Sequence, residues 1–200
     1  MSYDPPRPAG RLLLTPEDKE APARVRRLRA LGLGSHPEPS LDVFAYSLAE
    51  LTGAPYAMVN FLGLEGQFFA GLHTPAAAPA HRGDGTGALL GRVLPRDHGF
   101  CPHVVARRRA LALEDVSDYP RFAGNPVVDE FGIRSYLGAP LIDSTGTVLG
   151  TVSVTDVRPR AWGRPGLDAI KAQAAGLVPR LERREGDGLP PCGPPTPPMG

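Results

Sequence analysis

The stretch RDHGFCPHVV, Arg96 to Val105, gathers three side chains able to do chemistry: Cys101, with His98 ahead of it and His103 behind. Cysteine beside histidine suits two chemistries. Thiolate and imidazole together ligate zinc or iron. A thiol near a base or a helix N-terminus has a lowered pKa and becomes a nucleophile or a redox group. The spacing argues against the first. A structural zinc site needs four ligands and this stretch offers three at most. Pro102 suits the first turn of a helix, so Cys101 and His103 should point in different directions. No metal is therefore assigned. The second chemistry survives for Cys101 alone, which makes it the redox candidate. The bland alternative is a small buried thiol and a histidine on the helix surface. The second cysteine, Cys192, lies in the proline-rich end LPPCGPPTPPMG and is expected to be exposed and without a role.

Other clusters carry less. GTGALLG, residues 85–91, is one residue off a dinucleotide fingerprint, but no strand precedes it, so it reads as a loop. Arg107, Arg108 and Arg109 suit a helix C-terminus. Arg24, Arg26, Arg27 and Arg29 suit a solvated helix face, and no DNA-binding motif accompanies them. A third pattern points to a pocket. Alternation along TVLGTVSVTD puts Leu149, Thr151, Ser153 and Thr155 on one face of a strand. Asn60 is polar inside the apolar run AMVNFL, and Phe69, Phe100 and Tyr136 offer aromatic surface. Apolar walls with a few polar groups are what small-ligand sites use. The pocket candidates are Asn60, Phe69, Phe100, Cys101, Tyr136, Thr151 and Ser153. The alternative is that the same residues fill a collapsed core.

These residues need elements to hold them. A short basic helix is expected from Arg24 to Leu31, with Val25, Leu28 and Leu31 on its apolar stripe. Ser40 should cap a second helix, whose Leu41, Phe44, Ala45, Leu48 and Leu51 recur at helical spacing and which Gly53 stops. Residues 54–63 and 65–72 read as a hairpin, 74–93 as a long surface loop, 102–106 as a short helix and 110–116 as a strand. Residues 117–131 read as irregular with one helical turn near Val127 to Phe131. Strands at 132–143 and 146–156, joined by Ser144-Thr145-Gly146, form the clearest hairpin. A last helix spans about Pro165 to Arg184. Leu167, Ile170, Ala174, Leu177 and Leu181 make a coiled-coil-like seam on it, with a kink expected at Gly176 and Pro179. The order predicts an α+β domain, an antiparallel sheet with helices on its faces.

The totals set outer limits. Two hundred residues suit one domain with extensions. Basic and acidic residues number 22 and 21, so no global field points to nucleic acid or membrane. No apolar run of about 18 residues exists, so no membrane span is expected. MSYDPPRPAG does not read as a secretion signal. Two distant cysteines are no disulfide framework, and a reduced cytoplasm is the expected location. Residues 1–22 are expected as a flexible lead, 23–184 as the domain and 185–200 as a disordered proline-rich tail.

Taken together, PEPSLDVFAYSLAELTGAPYAMVNFL, EGQFFAGL, PRDHGFCPHVV, LALEDVSDYPRFAGNPVV and GIRSYLGAPLIDSTGTVLGTVSVTDVRPR resemble a GAF domain of the kind found in bacterial sensors. The resemblance covers roughly residues 24–183. It implies a sheet of five or six strands with the terminal helices on one face and a ligand pocket on the other. It also implies a non-enzymatic sensor or regulatory protein that binds a small molecule or a signalling partner and dimerises through its terminal helices. One GAF family, the free methionine-R-sulfoxide reductases, is enzymatic. It places a resolving thiol in a segment similar to GFCPHVV, but its catalytic thiol falls where this chain has Gly124. A thiol-dependent oxidoreductase is therefore the first alternative, and a ligand-free dimerisation scaffold the second. Bilin-binding members attach chromophore to a cysteine directly before a histidine, where Pro102 intervenes here. The cyclic-nucleotide signature needs a lysine that NPVVDEFG lacks. His73, His98 and His103 are equal as haem ligands. No cofactor is named.

Overall fold

The computed structural model describes residues 15–75 and 91–183. Within them, strands β1 (Tyr56–Leu62), β2 (Gly66–His73), β3 (Val93–Pro95), β4 (Leu111–Leu113), β5 (Ser135–Ile142) and β6 (Val148–Asp156) form one antiparallel sheet in the order β3-β2-β1-β6-β5-β4. The two hairpins lie side by side, and β1 pairs with β6 at the centre.

Three helices cover one face: α1 (Ala21–Ala30), α2 (Pro39–Thr52) and α6 (Gly163–Glu182). Pro39 opens α2 because its missing N–H is no loss in the first turn, and Gly53 closes it in the left-handed region at φ 65°. The cap before Pro39 is Glu38 rather than Ser40. Leu51 is 58% exposed, because it lies at the edge of the helical stripe where the turn rotates it off the sheet. Gly71 lets α2 approach β2, since a Cβ there would overlap the backbone of Leu41. The seam on α6 is buried within the chain: Ile170, Ala174, Leu177 and Leu181 are at most 3% exposed, packed with Leu137, Ala139 and Leu141 of β5. The helix continues through Gly176 and Pro179, and Leu181 beyond the proline is still in the core. Of the expected stripe, Leu167 on α6 and Val25 on α1 stay partly exposed.

The opposite face carries α3 (Cys101–Arg107), a 3₁₀ turn (Val116–Asp118), α4 (Pro120–Ala123) and α5 (Pro126–Phe131). The segment expected to be irregular thus holds three short helical turns. Inside the expected flexible lead, the Asp18 side chain is 5% exposed and pairs with Arg24 and Arg96. The glycine run at 85–90, Cys192 and the proline-rich tail lie outside the described residues. No helix among the described residues is long and apolar enough to cross a membrane.

Candidate functional site

The sheet face beneath α3 is built from alternate residues of three strands. Register pairs Tyr56 with Thr155, Met58 with Ser153 and Asn60 with Thr151 on β1 and β6. On the other side of β6, Tyr136 pairs with Thr155 and Gly138 with Ser153. Thr151, Ser153 and Thr155 thus form a hydroxyl row along the middle of this face, as their alternation predicts. Leu149 does not join them. The register shifts between Leu141 and Ile142, and the resulting bulge turns Leu149 into the helix-side core.

Gly138 leaves the room that Tyr136 uses: a Cβ there would overlap the tyrosine hydroxyl. The ring lies edge-on to Phe100, with centroids 5.2 Å apart. Its hydroxyl is 3.5 Å from the Cys101 Sγ, which is also 3.8 Å from the Ser153 Oγ. Tyr136 is fully enclosed, and burial raises its pKa well above the usual tyrosine range, so the phenol stays protonated. Cys101 is 4% exposed, and its thiol points into this cluster. No hydrogen bond joins it to either histidine among the described residues.

The three groups of the starting stretch therefore separate. The His98 ring sits at the rim, 2.9 Å from Asp97 Oδ1 and 3.5 Å from Glu130 Oε1. His103 is not on the surface but 6% exposed, edge-on to Phe122 with centroids 4.9 Å apart. Burial, then the charges of Arg121 and Arg107, lowers its pKa to about 4, so it is neutral near pH 7. Its Nδ1 is buried without a partner among the described residues.

Between β1, β2, α3 and α5 lies a cavity of about 40 Å³. Of the expected pocket residues it takes Phe69, Phe100, Cys101 and Tyr136 into its wall, whereas Asn60, Thr151 and Ser153 share the sheet face but do not line it. Met58, Gln67, Leu94, His98, Gly99, Val127, Phe131, Ile133 and Thr155 complete the wall, and none of them was among the pocket candidates read from the sequence. Gln67 had a signal: it stands two residues before Phe69 on the same strand and so shares its face. Val127, Phe131 and Ile133 come from short turns without periodicity. No Asp, Glu, Lys or Arg lines the cavity. It has room for a water-sized guest, far below the roughly 300–1,000 Å³ of a ligand pocket.

The roof of the cavity is residues 96–100, and polar links suspend it. Gln67 Nε2 donates to Pro95 O at 2.9 Å and to His98 O at 2.6 Å, while its Oε1 accepts from Asn60 Nδ2 at 2.8 Å. Asn125 accepts from Gly99 N at 2.8 Å and donates to Gly99 O at 3.0 Å. Asn60 Oδ1, Thr151 Oγ1 and Thr155 Oγ1 are buried without partners among the described residues. Buried polar atoms of this kind are uncommon in a packed core.

A sequence model of the GAF domain family matches residues 36–177. A cyclic di-GMP phosphodiesterase of Pseudomonas aeruginosa is 30% identical over 152 residues, which is 72% of this chain and 22% of that protein. The chain thus spans about a fifth of the curated relative it matches. Among solved structures, a free methionine-R-sulfoxide reductase from Neisseria meningitidis, in complex with its substrate, shares 17% identity at a TM-score of 0.56, with 74% of this chain and 79% of that one covered. The GAF domain of an Acinetobacter phosphoenolpyruvate-protein phosphotransferase shares 17% identity at 0.54, with 86% and 99% covered. At such identity these two show the fold alone. The family match spans most of the chain, and its six-stranded sheet has the expected two-faced arrangement; the chain belongs to the GAF domain family.

Proposed function

We propose that this chain is a non-enzymatic sensor or regulatory module of cytoplasmic signal transduction, and that its input is a small, neutral, largely apolar molecule held beneath residues 96–100. The observation that carries this reading is a cavity wall without Asp, Glu, Lys or Arg, closed by a roof hung on side-chain amides. A zwitterion or phosphate would meet only the His98 ring, already engaged by Asp97 and Glu130, and would bury charge here at high cost. The similarity to part of a cyclic di-GMP phosphodiesterase supports a regulatory module of the kind carried by larger signalling proteins.

The oxidoreductase reading has less support. Gly124 stands where the related reductases need a thiol, and Cys101 is buried within a protonated cluster. Most of the seam expected to form a homodimer packs on β5, which leaves Leu167 and Val25 as its partly exposed members. A second reading, a ligand-free scaffold that binds a signalling partner, is favoured by the small volume of the cavity.

Native mass spectrometry of the protein purified from its own cytoplasm tests both readings. A neutral ligand lost in the Ile133→Trp variant, which fills the cavity, is the expected result. A chain carrying nothing, with thermal stability unmoved by a library of small neutral aromatics, would leave the scaffold reading standing.

A further inference from the structure

The roof has one more attachment, and it leads away from the cavity. Arg96 Nη1 donates to Gly63 O at 2.9 Å, and its Nη2 donates to Asp18 Oδ2 at 2.8 Å. Asp18 is the shared member of a triad: Arg24 Nη1 and Nη2 donate to its two oxygens at 2.6 and 2.7 Å. The Arg24 side chain is 0% exposed and that of Asp18 is 5% exposed. Arg24 Nε donates to Val148 O at 2.6 Å, which fastens α1 to the start of β6. The guanidinium of Arg24 has no solvent to turn to, so Asp18 cannot leave it without stranding a buried charge.

We propose that the Arg96–Asp18–Arg24 triad ties the roof of the cavity to α1, so that a guest beneath the roof is felt at that helix. This rests on the reading of the cavity as a ligand site and gives that site a route of regulation. The chain of causes is mechanical. The cavity is too small for a ligand unless residues 96–100 lift. Gly99, at φ 76°, stands over Val127, and its carbonyl and amide can leave Asn125 only if the segment moves outward. Arg96 is part of that segment. When it moves, it either draws Asp18 with it or lets go. In the first case α1 shifts, because Arg24 follows its carboxylate. In the second, Asp18 keeps both of its bonds to Arg24 and α1 stays in place. Arg24 holds Asp18 by a planar two-point pair and Arg96 holds it by a single bond of 2.8 Å, so α1 follows the roof for as long as the Arg96–Asp18 bond lasts. Arg96 and Asp18 are thus positioning residues for the roof, with no contact to the cavity itself.

Hydrogen exchange of the full chain, read at single amides, tests this. Arg96→Gln should raise exchange fivefold or more both in α1, at Arg24 and Leu28, and in the roof, at His98 and Gly99. Asp18→Asn should do the same. A wedge, Val127→Phe, should loosen the roof and, through Arg96, also α1. In the Val127→Phe/Arg96→Gln double variant α1 should exchange no faster than in Arg96→Gln alone. Xenon under pressure enters apolar cavities without a substitution and repeats the wedge experiment should the variant not fold. If Arg96→Gln leaves α1 unchanged, or if wedge or xenon reaches α1 equally well without Arg96, the tie is overturned while the ligand reading stands. If neither wedge nor xenon moves the roof, the ligand reading fails and the triad has no input to transmit.

Discussion

The two faces of the sheet carry different kinds of core. Beneath α1, α2 and α6 lies an apolar cluster, with Val59, Phe61, Leu137, Leu141, Ile170 and Leu177 each at most 1% exposed, and the buried polar side chains beside it include Arg24 and Ser135. Beneath α3, α4 and α5 the burial is as deep, but Asn60, Gln67, His103, Thr151, Ser153 and Thr155 are buried with it. Three of these carry an oxygen and one a nitrogen without a partner among the described residues. The first face maximises stability. The second gives some stability up, and departures of this kind cluster where a protein does something other than fold. Such a contrast can be broken or sharpened by substitution.

The largest effect is expected at Ile170, in the centre of the helix-side core. A glutamate there would be buried without a partner among Leu137, Leu141 and Leu177. The expected loss exceeds about 4 kcal/mol, enough to unfold a domain of ordinary stability. Circular dichroism during urea unfolding measures it. A folded Ile170→Glu monomer, the result that an exposed dimer seam would give, would show that α6 does not pack on β5.

Next comes His103. Its folded pKa of about 4 lies below the unfolded value of about 6.5. Below pH 6.5 the unfolded chain binds a proton that the folded chain refuses. Stability therefore falls as pH drops from about 6.5 to about 4, and is fully retained above that window. The difference corresponds to roughly 3 kcal/mol at most. His103→Leu should flatten this part of the profile, measured as urea midpoints from about pH 7 to about pH 4 against the unaltered chain. Parallel profiles would show that His103 takes up its proton equally in the folded and unfolded chains.

Gly138 should follow. Alanine would collide with the Tyr136 hydroxyl and displace the ring from Phe100 and Cys101, at about 2 kcal/mol. Cys101 should then be alkylated at least about tenfold faster, since thiol reactivity follows exposure. No acceleration would mean that the tyrosine does not guard the thiol.

How far the sequence could be read tracks the same contrast. The β5–β6 hairpin announces itself by alternation and its short turn, and the α6 stripe by its spacing. Periodicity shows which face of an element is apolar but not what covers it, so the stripe on α6 could be taken for a dimer seam when β5 already covers most of it. Leu149 escaped because a bulge leaves no mark on composition. The cavity face was legible only where it is sheet. Thr151, Ser153, Tyr136 and Phe69 follow from period two, whereas Val127, Phe131 and Ile133 come from turns opened by Pro126 and closed by Gly132, where no period exists. Asp18 lay in a proline-rich lead, and nothing local distinguishes a buried carboxylate there from a solvated one.

The smallest expected effect is also the sharpest test, because it uses adjacent residues of one strand. Thr151 and Val152 are both 0% exposed and face opposite sides of the sheet. They are nearly identical in shape. Val152→Thr would bury a hydroxyl among Leu137, Leu141 and Leu177 and should cost about 1–2 kcal/mol. Thr151→Val removes a hydroxyl that is already buried without a partner among the described residues, so it should stabilise the chain by about 1 kcal/mol. The two substitutions exchange the same atoms, and intrinsic strand preference nearly cancels between them. What is left is the difference between the faces. Urea midpoints for the two variants measure it directly. Two losses of similar size would show that the Thr151 hydroxyl is satisfied in solution, and the cavity face would then be an ordinary core with well-used polar groups. Opposite signs would show that the chain carries a destabilising hydroxyl row it could have replaced at no cost in shape, which is the expectation for a surface held in reserve for a guest.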